Sequence, residues 1–220
     1  MIFLSYQNSI TIYLASKFKL FFNHFVIVAK RKSRLIFEGE YVNDEKNGKV
    51  KEYDSKGKLK FEGYYVHDKK NGIGKEYKND EIIFEGEYIN DKRWKGKGKE
   101  YHDNNSLLYE GDYLNGEKNG KGKQYYSSGV LIYEGEYKNG KYNGTGIEHY
   151  ENGEIKYSGE FLDGEWNGTG NEYYENGKIK YSGEFLDGNW NGQGIEYYKN
   201  GRIKNKGDFV NGNKIKNKKK

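Results

Sequence analysis

The chain has 220 residues, with hydrophobic residues at 34%, aromatics at 17%, and neither cysteine nor proline. Disulfides, thiol nucleophiles and cysteine-based zinc sites are therefore excluded. The net charge of +5 is unevenly placed: residues 1–36 carry +6, residues 211–220 carry +5, and the stretch between is acidic at −6, which argues against a nucleic-acid groove along it.

Residues 1–34 differ in composition from the rest of the chain. Met1 to Ala29 is rich in aromatic and β-branched residues and leads into Lys30, Arg31, Lys32 and Arg34. A membrane-spanning helix needs about 20 apolar residues in a row. Gln7, Asn8, Lys17, Lys19, Asn23 and His24 interrupt this run, and its positive charge comes after the apolar stretch, whereas a secretory signal carries it before. Three readings stand: a cap on the next element, a weakly membrane-associating segment with Lys30, Arg31, Lys32 and Arg34 on anionic headgroups, or a start placed too far upstream.

From residue 35 to 212 the chain repeats. Each unit opens aromatic-x-Gly-x-aromatic, with the first ring at Phe37, Phe61, Phe84, Tyr109, Tyr133, Tyr157 and Tyr181, and Asn205 in that slot of a degenerate eighth unit. The steps are 24, 23, 25, 24, 24, 24 and 24 residues. A fixed period in this range marks a stacked repeat array. Eleven residues into most units comes Gly-x-Gly-x-Glu-aromatic, as at Gly168 to Tyr173 and Gly192 to Tyr197; Val50 replaces the second glycine in the first unit, and the third unit is one residue longer around Arg93-Trp94-Lys95-Gly96.

Tyr157, Gly159 and Phe161 alternate with Ser158 and Glu160, a period of two that predicts a strand with both rings on one face. The Gly-x-Gly segment is a poor strand alone and gains sense beside rings that cover its bare backbone. Asn152-Gly153, Asn176-Gly177 and Asn200-Gly201 suit two-residue hairpin turns, and the connection from Leu162 to Asn167 reads as the longer one. Trp94, Trp166 and Trp190 fall in that longer connection, where they either pack over the glycines or anchor a partner. Residues 213–220 are a basic tail.

No constellation of reactive groups breaks the repeat. His24, His67, His102 and His149 occupy different positions in their units, no helix succeeds the Gly-x-Gly segments, and carboxylates such as Glu160 and Glu172 recur throughout, as expected of a solvated face. Neither an enzyme nor a cofactor or metal site is expected.

Tyr-x-Gly-x-aromatic, a turn, then Asn-Gly-x-Gly at this step resembles the MORN repeat (membrane occupation and recognition nexus). Tyr173 to Tyr181, Tyr-Tyr-Glu-Asn-Gly-Lys-Ile-Lys-Tyr, is similar to the variant repeat of bacterial and viral proteins, some labelled antitoxin-like. The resemblance implies an all-β fold: an elongated single-layer antiparallel meander of stacked hairpins. It implies a non-catalytic scaffold for a protein partner, cytoplasmic and peripheral at a membrane if the basic ends touch it. The oligomeric state is left open. Neutralisation of a toxin is one alternative, and a lipid-associated accessory to an enzyme is another. The candidate interaction surface is the aromatic stripe Tyr133, Tyr137, Tyr157, Phe161, Trp166, Tyr181, Phe185 and Trp190.

Overall fold

The computed structural model describes residues 2–6, 10–15, 24–31 and 34–215. The chain divides into two compact units, residues 1–98 with 113–116, and residues 99–112 with 117–220. Among the described residues there is no helix, and so none long and apolar enough to cross a membrane.

The first unit opens with β1 (Ile2–Tyr6), β2 (Ile10–Ala15) and β3 (His24–Arg31), which precede the repeats. It continues with β4 (Arg34–Val42), β5 (Glu45–Tyr53), β6 (Leu59–Val66), β7 (Lys69–Lys78), β8 (Glu81–Ile89) and most of β9 (Lys92–Tyr101). Each strand pairs antiparallel with the next. The second unit holds most of β10 (Leu107–Leu114), then β11 (Glu117–Tyr125), β12 (Leu131–Lys138), β13 (Lys141–His149), β14 (Ile155–Leu162) and β15 (Glu165–Tyr173). It ends with β16 (Ile179–Leu186), β17 (Asn189–Tyr197), β18 (Ile203–Val210) and β19 (Asn213–Lys214). From β11 onward the pairing is again consecutive and antiparallel. Each unit is thus an open all-β meander of hairpins, as the period-two pattern predicts.

The repeat is built around a close approach of glycines. Gly159 stands opposite Gly170, and Gly183 opposite Gly194. A β-carbon on Gly159 would lie 2.6 Å from the Gly170 α-carbon, and one on Gly63 would lie 2.7 Å from that of Gly74. The bare backbone is roofed by the opening ring of the unit, Phe61 in one case and Tyr157 in the other. Where that ring is tyrosine, its hydroxyl donates to the carbonyl three residues on: Tyr133 to Glu136 at 2.9 Å, Tyr157 to Glu160 at 3.0 Å. The buried phenol therefore keeps a hydrogen bond, which a group closed to water needs.

The two kinds of connection are the reverse of the sequence expectation. Leu162 and Glu165 flank a two-residue turn in which Asp163 and Gly164 have φ of 51° and 100°. Asp187-Gly188, Asn139-Gly140 and His67-Asp68 repeat it, with both central residues at positive φ, the geometry that matches strand twist. At Asn152-Gly153 only the glycine has positive φ, 87°, and Tyr150 both accepts from Gly153 N–H and donates to the Glu154 carbonyl, at 2.9 Å each. That is the longer loop, a turn closed by a left-handed glycine. Asn167-Gly168 belongs to neither connection; it lies inside β15 as a bulge opposite Glu160. The 23-residue step arises because Asn79-Asp80, at φ 52° and 69°, replaces the longer loop by a two-residue turn.

Candidate interaction surface

The aromatic stripe is the core of each sheet. Tyr133, Tyr157 and Tyr181 are fully closed to solvent, and Tyr137, Phe161 and Phe185 nearly so. Phe161 meets Tyr133 and Tyr157 edge-on at 5.1 Å each, and Phe185 meets Tyr157 and Tyr181 at 5.1 and 5.2 Å. Such edge-to-face pairs add about 0.5–1.5 kcal/mol beyond area burial. The sequence pattern points these six rings at a partner; instead they are consumed by packing between repeats, because a single-layer sheet has no other apolar core.

Above each opening ring sits one covering side chain, supplied by the residue opposite the second ring of the unit. Its chemistry changes along the chain. Lys46 lies over Phe37 at 4.8 Å, Lys70 over Phe61 at 4.2 Å, Arg93 over Phe84 at 4.9 Å and Lys118 over Tyr109 at 4.3 Å. Tyr142 then stacks on Tyr133 at 3.8 Å, and Trp166 and Trp190 stack on Tyr157 and Tyr181 at 4.5 Å each. Trp166 and Trp190 thus cover the rings, beside the glycines. Trp94 does not share this position. Arg93 stands opposite Tyr88 as the covering residue does in the other units, the extra residue of the unit comes after it, and Trp94 is left exposed.

The recurrent glutamate of Gly-x-Gly-x-Glu holds the cover in place. Glu148 accepts from Trp166 Nε1 at 2.8 Å and from Lys156 at 2.7 Å; Glu172 accepts from Trp190 Nε1 at 2.7 Å and from Lys180 at 2.6 Å. Glu76 plays this part for Lys70 at 2.8 Å and Arg93 at 2.5 Å. Burial raises the Glu76 pKa, but the two cations outweigh it and hold the carboxyl below its usual range. At Glu196 burial is likewise outweighed by Lys204 and by the amide of Asn205, so Asn205 serves the carboxylate where a ring would stand. Burial, with the nearby Glu184 carboxylate, pushes the Tyr181 phenol up to about 12.

Three of the histidines are also engaged by the fold. His67 pairs with Glu45, His102 with the Tyr125 carbonyl and His149 with the Gly153 carbonyl. Among the described residues no cluster of His, Asp and Glu could hold a metal. A groove of about 520 Å³ is lined by Tyr126, His149, Tyr150, Lys156 and Glu175 among others, and its lysine is already engaged by Glu148. Of the expected membrane contacts, Lys30, Arg31 and Arg34 have their backbone in β3 and β4, with Arg31 opposite Arg34. Lys32 and residues 216–220 of the basic tail lie outside the described residues. The sequence pattern alone does not single out the covering lysines, although their fixed place after the two-residue turn is a signal.

Paired glycines under a covered ring, repeated hairpin after hairpin, define a stacked β-hairpin repeat protein. The MORN repeat matches residues 61–81, 109–130, 133–155 and 181–201, and the MORN repeat variant matches residues 46–67, 95–115 and 166–187. Together these take in more than half of the chain, which belongs to the MORN repeat family. No curated protein matches it. MORN repeats are non-catalytic and serve as scaffolds for protein or membrane interaction.

Proposed function

We propose that this protein is a non-catalytic scaffold that holds a protein partner on the outward surface of its repeats. The observation that supports this is the uniform use of the recurrent glutamates. Glu76, Glu148, Glu172 and Glu196 each hold a cation, an indole or an amide of the neighbouring repeat, which leaves none of the four poised as an acid or base. Affinity capture with the full chain, then reconstitution from purified components, tests the reading; a stoichiometric complex is expected. Turnover of a substrate that is lost on changing one unit's glutamate would reverse it. The antitoxin-like role is the case in which that partner is a toxin.

The charge distribution favours a second feature, weak attachment to an anionic membrane through the basic ends from the cytoplasmic side. Each basic residue near such a surface contributes about 1 kcal/mol, screened by salt. Sedimentation with anionic vesicles is expected at low salt and lost at high salt. Equal sedimentation after neutralising Lys30, Arg31, Lys32 and Arg34 would remove those residues from the account.

A further inference from the structure

In the second unit the face opposite the rings carries two parallel columns. Leu162, Leu186 and Val210 each close a first strand just before its two-residue turn, and they are 53%, 50% and 46% exposed. Apolar side chains so open to water, recurring at one place in consecutive repeats, contribute nothing to the core. Two residues earlier in the same strands, and so on the same face, stand Glu160, Glu184 and Asp208, with Glu136 in the preceding repeat. The carboxylates are fixed rather than loose: Thr169 donates its hydroxyl to Glu160 at 2.6 Å and Thr145 donates its own to Glu136 at 2.9 Å. The Thr169 hydroxyl and amide hold the Glu160 carboxyl below its usual range, so it stays ionised. Opposite the apolar column lie Glu165, Asn189 and Asn213, none of them basic. In the first unit the equivalent residues Val66 and Ile89 face Lys69 and Lys92, while Val42 faces Glu45.

We propose that this double column is a docking track for an extended polypeptide segment of a partner that repeats a basic and an aliphatic side chain every three residues. The proposal rests on the scaffold reading and adds to it the face and the chemistry of the partner. An apolar column alone would accept many surfaces; the adjacent row of fixed carboxylates selects cations, and it repels acidic segments and anionic headgroups. The period adds a constraint. Successive repeats are two strands apart, about 9.6 Å. A polyproline-II segment advances about 3.1 Å per residue with three residues per turn, so every third residue returns to the same side about 9.3 Å on, close to one repeat. A segment of the form Lys-Leu-x in tandem places a cation beside each carboxylate and an aliphatic side chain beside Leu162, Leu186 and Val210.

The probe is a fluorescent tandem Lys-Leu-Ser peptide titrated against the full chain by anisotropy, with tandem Glu-Leu-Ser as control. The chain should bind the first and not the second. Leu162→Thr, Leu186→Thr and Val210→Thr combined remove the aliphatic groups from exposed strand positions that tolerate threonine, and should weaken binding at least about tenfold with the melting temperature unchanged. Glu160→Gln with Glu184→Gln keeps an acceptor for each neighbour and should weaken binding while flattening its salt dependence. The proposal is overturned if the wild-type chain ignores the lysine peptide, binds both peptides alike, or binds equally well after the threonine changes. A reconstituted partner that binds the threonine variant undiminished would leave the scaffold reading intact and sink this one. Self-association abolished by the same changes would assign the columns to a second copy and likewise overturn the basic segment.

Discussion

The repeats of residues 37–101 and those of residues 133–197 solve one problem with two chemistries. In both, the opening ring must be shielded from water on its outer side, and in most repeats it lies across a pair of glycines; beside Phe37, Val50 faces Gly39 instead. The earlier repeats use the stems and charges of Lys46, Lys70 and Arg93; the later ones use the flat faces of Tyr142, Trp166 and Trp190. The backbone slot is the same, but the fixing carboxylate is not: Lys46 and Lys70 use the glutamate six residues on, Glu52 and Glu76, whereas Arg93, Trp166 and Trp190 use the glutamate of the preceding repeat, Glu76, Glu148 and Glu172. In this chain the slot is filled by a side chain that packs on a π-face; lysine, arginine and tryptophan also donate to a carboxylate, whereas Tyr142 stacks where Gln124 stands in place of the glutamate. The two regions should differ in how their stability responds to salt, and little in geometry.

The largest expected effect is one that the regions share. Gly63→Val and Gly159→Val both drive a β-carbon into the glycine on the facing strand, and each should cost about 4 kcal/mol or more in its own repeats. Thermal melting and limited proteolysis report it, and unequal costs would mean that the glycine pair is not the common frame. Next comes the cover. Trp166→Ala exposes the Tyr157 face and strips the indole donor from Glu148, at about 3 kcal/mol. Lys70→Ala loses a cation–π contact and a partly exposed ion pair, at about 1 kcal/mol. Trp166→Lys should fall between them, because lysine can reach both the ring and the carboxylate; a cost as large as that of alanine would show that the slots are not interchangeable.

The pH dependence is smaller near neutrality and has two limbs. Glu76 and Glu196 sit below their usual 4.5 in the folded chain, so their contribution is present above that value and is lost as pH falls through the folded pKa. Tyr181 sits at about 12 against 10.0 when unfolded, so its contribution is complete below pH 10.0 and is lost as pH rises through about 12. Phenolate absorbance should therefore lag behind a simple titration at 10.0 and then rise together with unfolding. A full titration at 10.0 without unfolding would contradict burial of the rings.

The period, the strands and the aromatic stripe are legible in the sequence because they rest on side-chain identity repeated many times. The turns are not. Asn-Gly suits a two-residue turn in general, but Asp163-Gly164 lies between strands that pair up to Leu162 and Glu165, and this pairing decides which loop is short. The position of Trp94 is hidden for a related reason: one inserted residue can be absorbed at several places in a strand, and here it is taken up after Arg93, which keeps the covering slot opposite Tyr88 and leaves Trp94 outside it. The six buried rings read as a partner surface because a sheet stripe looks the same whether another molecule or the adjacent repeats cover it. Lys70 looks like an ordinary surface charge, since a cation over a ring leaves no mark in composition.

Residue-resolved hydrogen exchange of the full chain at low and high salt tests the central claim most directly. If charge covers one set of rings and stacking the other, amides of β6 to β8 should lose protection as salt screens Lys70 and Arg93, while amides of β14 to β16, beneath Trp166 and Trp190, keep theirs. Equal loss in both regions, or none in either, would contradict the account.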